Sequence, residues 1–156
     1  SASDETRHAR RVSAIALARG GSVAPIAVLP TPTRTVFELA LENAVEGTLR
    51  ETYGAALATY QADAATDPEL ARLFRDVAID ETHHAALSLD LARWLDTKLT
   101  ADERARVRAA RDEAAGALFA ELASESTDAS TREAMGLPDA GTSRAIFTAT
   151  FPGVWA

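Results

Sequence analysis

Glu81 and His84 stand three residues apart in Asp80-Glu81-Thr82-His83-His84-Ala85. Three residues make most of one helical turn, so both side chains project from one face and can reach one metal ion. The stretch from about Pro68 to Lys98 carries that face as Leu70, Phe74, Val77, Glu81, His84, Ser88, Leu91 and Leu95. A carboxylate on an otherwise apolar face needs a cation or strong donors, because burying it unpaired is expensive. A metal ion meets that need; the simpler alternative is a buried ion pair with an arginine. The same device recurs near the start, where Asp4-Glu5-Thr6-Arg7-His8-Ala9 differs from the later hexapeptide at one position. Its face continues through Val12 and Ile15, again apolar. Two of the chain's three histidines thus follow a glutamate by three residues. His83, about 100° round from His84, is placed at the edge of the face.

Helices must position these groups. Residues 1–19 read as one helix, closed by Gly20-Gly21 past its C-terminus. Pro25, Pro30 and Pro32 then exclude helix over residues 22–34, which should be extended. At ~3.1 Å per residue that segment spans ~40 Å, about the length of a 28-residue helix. Its apolar Val23, Ile26, Val28 and Leu29 favour a strap lying along a helical bundle over a free linker. Thr35 and Glu38 have capping-box spacing and open a helix to about Ala62. A 3.6-residue period puts Leu39, Glu42, Glu46, Leu49, Tyr53, Leu57 and Tyr60 on one face of it. Glu46 is then the inward carboxylate, while Glu51, about 140° further round, faces solvent near Arg50. Gly47 and Gly54 weaken this helix, for which close approach of another helix is one reason.

Asp67-Pro68 is an N-cap and N1 pair, so the Glu81 helix starts there after a short turn, as an antiparallel hairpin. At 1.5 Å per residue, Glu46 then comes within about a turn of the level of Glu81 and His84. Thr100 and Glu103 form a second capping box. The helix after it, to about Glu125, presents Val107, Ala110, Ala114, Leu118 and Leu122 as a cover. Its Arg104, Arg106, Arg108 and Arg111 read as a solvated face. Residues 124–131 are polar and read as loop. A short helix follows over about 140–150, ended by Pro152, with Phe147, Phe151 and Trp155 packing inward.

A chain of 156 residues can build one sizeable core, and an alanine-rich composition suits close-packed helices. A net charge of −7 argues against nucleic acid or an anionic membrane surface as partner. No apolar run approaches the ~20 residues a membrane span needs. The absence of cysteine excludes disulfides, thiolate zinc sites and iron–sulfur clusters.

The order Glu5-x-x-His8, long crossover, Glu46, tight turn, Glu81-x-x-His84 resembles the ferritin-like superfamily of di-iron carboxylate proteins, such as rubrerythrin and bacterioferritin. Leu41-Glu-Asn-Ala-Val-Glu46-Gly and Arg50-Glu-Thr-Tyr-Gly54 are similar to uncharacterised bacterial ferritin-like domains. The resemblance covers about residues 1–98. It implies an all-α, four-helix bundle at 1–98, with a helical extension at 99–156 packed on the same domain. It implies two iron ions, or iron and manganese, held by Glu5, His8, Glu46, Glu81 and His84. Glu5 and Glu81 would bridge the metals, each histidine would bind one, and Glu46 would be a terminal carboxylate. Hard carboxylates with imidazole suit such ions. The implied activity is O2- or peroxide-dependent oxidation or iron handling, with Tyr53 as a candidate electron relay. The family's first helix, with its own glutamate, has no counterpart here. An upstream segment or a second chain, as in a homo-oligomer, is expected to supply it. The expected location is the cytoplasm, an exported form staying open because Ser1 enters mid-helix. The competing function is a metal-free interaction module on the same bundle.

Overall fold

In the computed structural model, residues 2–25, 32–123 and 127–152 are described; among them the regular structure is entirely helical, without a strand. The chain divides into two compact units, Ser1–Arg34 and Thr35–Ala156.

The first unit is built on α1, Ala2–Ala18. Gly20 takes a left-handed φ of 80°, and the helix closes as the two glycines imply. The Gly20 N–H donates to Leu17 O at 3.0 Å and the Gly21 N–H to Ala16 O at 2.8 Å, satisfying carbonyls the helix end would leave bare. Residues 22–25 and 32–34 have no regular structure, and the rest of the expected strap lies outside the described residues.

The second unit begins with a rod of three consecutive segments. These are α2 (Val36–Glu42), a π-helix (Asn43–Glu51) and α3 (Thr52–Ala64). The Thr35/Glu38 capping box opens it, with Glu38 N donating to Thr35 Oγ1 at 3.2 Å and Thr35 N to Glu38 Oε2 at 2.8 Å. After a three-residue turn, α4 runs from Pro68 to Asp96, its first amides received by Asp67 Oδ1. The rod and α4 pack against each other along most of their lengths, forming the antiparallel hairpin that the short turn implied. The second capping box, Thr100/Glu103, opens α5 (Ala101–Glu121).

Two helices follow. α6 (Ala129–Met135) starts on Asp128 and stops at Gly136, which has φ of 60°. It falls partly in a stretch read from sequence as loop. It docks on the α3–α4 turn, where the Thr66 and Asp67 amides donate to Glu133 O and Ala134 O at 3.2 and 3.3 Å. The Gln61 side chain donates to Met135 O at 3.0 Å. α7 (Ala140–Thr150) is capped by Asp139.

Two apolar clusters hold this unit together. One joins Leu49, Tyr53, Ala115, Leu118 and Phe147. Phe147 is fully buried, with ring centroids of Phe119 at 5.6 Å and Phe151 at 5.0 Å. The other joins Ala40, Leu95 and Leu99, with Phe37, Leu91 and Val107 packed against them. Burying each large side chain stabilises the fold by ~1.5–3 kcal/mol. Trp155 lies outside the described residues.

Candidate metal centre

The π-helix sets where the carboxylates of the second unit point. An α-helix bonds each amide to the carbonyl four residues back; a π-helix reaches five back, so it holds one more residue per turn. Glu46 and Glu51 are five apart. On a continuous α-helix they would point ~140° from each other, but over π-turns of about 4.4 residues the angle falls to ~50°. A strict 3.6 period misplaces both. The Glu46 side chain is 63% exposed, and its Oε2 lies 3.8 Å from Arg50 Nε. Arg50 also approaches Glu121 at 4.0 Å. Glu51, read from sequence as solvent-facing, instead turns toward α4.

Tertiary contacts pin the π-segment. Gly47 faces α4, and a Cβ there would meet Asn43 Oδ1 at 2.5 Å and Ser88 Oγ at 2.8 Å. The close approach expected of this glycine is present, whereas Gly54 has open space around it. The Asn43 amide is buried and donates to Ser88 O at 3.0 Å, tying the start of the π-segment to α4 one turn past His84.

Glu51 and Glu81 both approach His84. His84 Nδ1 is 3.4 Å from Glu81 Oε2 and 3.8 Å from Glu51 Oε2. His84 is buried, and the Glu81 side chain is 15% exposed. Burial pushes the Glu51 carboxyl above the usual range. A hydrogen bond with Glu81 and repulsion from it push further the same way, His84 opposes, and Glu46 adds a smaller upward push. Two carboxylates this close cannot both ionise freely without a shared proton or a cation. The donor set is hard oxygen with imidazole nitrogen. Two donors each ~2.1 Å from one ion at tetrahedral or octahedral angles stand ~3–3.5 Å apart. The observed separations are near that spacing, so these residues fit a divalent ion after small side-chain adjustment.

In the first unit Glu5 and His8 lie one turn apart on α1, with His8 Nδ1 3.9 Å from Glu5 Oε2. That helix therefore presents the second Glu-x-x-His device as the spacing implied. His83 is exposed. Tyr53 is buried in the aromatic cluster, its ring centroid 6.1 Å from that of Phe147. Burial raises its phenol, and a hydrogen bond with Ser143 partly offsets the rise.

Among the described residues no helix is long and apolar enough to cross a membrane. No protein-family model matches the chain, and no curated protein or solved structure matches it either.

Proposed function

We propose that the chain is a metal-dependent, ferritin-like protein whose Glu51, Glu81 and His84 hold a divalent ion, iron or manganese. The observation that carries this reading is the convergence of two carboxylates and an imidazole from adjacent helices at 3.4–3.8 Å. Glu5 and His8 enter on the resemblance alone, as source of the further ligands a two-metal centre needs. Iron or manganese held there would supply redox chemistry toward O2 or peroxide, a two-electron step needing a second ion beside the first, which makes oxidation or iron handling the reading that fits best. Glu51 and Glu81 neutralise the cation's charge. His84 binds as neutral imidazole. Glu46, turned toward Arg50, lies beside this group and adjusts its charge from outside.

The metal-free alternative has one point in its favour: burial and the nearby Glu81 push the Glu51 carboxyl up, so a proton on Glu51 could take the place of an ion. Metal content separates the two. After anaerobic incubation with Fe(II) and desalting, elemental analysis should find iron bound to the wild-type chain. Glu81→Ala and Glu51→Ala should each lose most of it, and Glu46→Gln should keep it. Wild-type protein without iron, or with iron equally retained in all three variants, would refute the assignment.

A further inference from the structure

The two apolar clusters of the second unit do not merge. Between them lies a half-open cavity of about 480 Å3. Leu49 and Phe151 reach it from one cluster; Leu95, Leu99 and Val107 reach it from the other. It falls in the ~300–1,000 Å3 range typical of small-molecule sites. Leu89, 42% exposed, borders it and would gain cover from an occupant.

The charged groups on the rim are mostly of one sign. Arg104, Arg108 and Arg111 follow one another at i, i+4 and i+7 on α5, a row ~10 Å long. This spacing, read from sequence as a solvated face, lays three guanidiniums along one wall. Arg104 is held in place: its Nη1 donates to Leu99 O at 2.7 Å and to Asp96 O at 3.3 Å. Arg111 is engaged with Asp112 at 2.9 and 3.1 Å. Arg108 makes no hydrogen bond or ion pair with the described residues. The Asp96 carboxylate is the one acidic side chain on the lining among the described residues. An apolar chamber with a net cationic rim matches a molecule with an apolar body and one anionic end.

We propose that this cavity binds a medium-chain alkyl carboxylate, its chain between the two clusters and its carboxylate on Arg108. Glu51, Glu81 and His84 are not on the lining and the proposal needs no metal, so it is tested on metal-free protein. Calorimetric titration with decanoate should show saturable binding at one per chain. Butyrate, lacking the chain, and decanol, lacking the charge, should bind at least ~10-fold more weakly. Arg108→Glu should weaken decanoate by a similar factor. Arg72→Glu, the same charge change on an exposed α4 residue away from the lining, should leave affinity within ~2-fold. Ala92→Phe, which fills the chamber without changing charge, should abolish binding while retaining the helical circular dichroism of the parent. No saturable binding, equal binding of decanol, or equal weakening by Arg108→Glu and Arg72→Glu would overturn the proposal.

Discussion

Gly47 and Gly54 lie seven residues apart on one rod, yet alanine should act on them with opposite sign. At Gly54 no heavy atom comes within 4 Å of the place a methyl group would take. Alanine there removes backbone freedom from the unfolded chain and favours helix, so Gly54→Ala should raise stability by ~1 kcal/mol. The same gain applies at Gly47, but its methyl would meet Asn43 Oδ1 at 2.5 Å and the Ser88 Oγ and Cβ at 2.8 and 3.0 Å. Ser88 is carried on α4 and cannot retreat without moving that helix. Asn43 can swing away only by giving up its 3.0 Å bond to Ser88 O. Leaving those buried groups unpaired costs ~1–3 kcal/mol, and forcing extra volume into a packed interface costs a similar amount. Set against the ~1 kcal/mol helix gain, Gly47→Ala should lose ~1–5 kcal/mol. Urea unfolding followed at 222 nm reads both, and iron content after loading should fall only for Gly47→Ala, which shifts the π-segment relative to His84. A Gly47→Ala variant as stable as Gly54→Ala would show that the π-segment does not press on α4 as described.

Two further outcomes are expected. The Asp139 carboxylate accepts the Thr142 amide at 2.7 Å, which holds its pKa below the ordinary value of 3.8. Its stabilising contribution is therefore complete above that value and lost as pH falls through the lower folded one; Asp139→Asn, which keeps an acceptor but not the titration, should make acid unfolding measured by circular dichroism less steep below about pH 4. Thr52 Oγ1 is buried without a hydrogen-bond partner among the described residues, so Thr52→Val should move the urea midpoint upward by the equivalent of ~1 kcal/mol, and a downward shift would mean the hydroxyl is satisfied in solution.

What could be read in advance was local. Thr35 with Glu38, Thr100 with Glu103, Asp67-Pro68 and Gly20-Gly21 each signal a helix end through atoms a few residues apart, and each end formed where its residues stand. Glu81 and His84 were legible for the same reason, since both lie within one uninterrupted α-helix. Glu51 was not. Its position depends on the helix changing period between Asn43 and Glu51, and that change is tied to Ser88, 45 residues from Asn43. Once the period slips, a 3.6-residue face projected from Leu39 assigns Glu46 and Glu51 to the wrong sides. The arginine row on α5 was misread in a related way. Its spacing is visible, but that it borders a chamber depends on α2, the π-helix and α4 standing opposite. The α6 helix is seven residues long and has no buried residue, too little apolar pattern to announce itself.

The docking of α6 also has a consequence in time. The α3–α4 hairpin is closed by neighbours in sequence, so it can assemble within the first events of folding. The bonds from Thr66 to Glu133 and from Asp67 to Ala134 each bridge about 67 residues, and they can close only after α5 has returned the chain. They reward the fold after most loop entropy has been spent. A lesion in this latch should leave the refolding rate nearly intact and appear almost wholly as faster unfolding. The protein's lifetime under protease or heat would then be governed by a seven-residue helix remote from the carboxylates, while the speed at which it reaches the native state is governed by the hairpin that carries them.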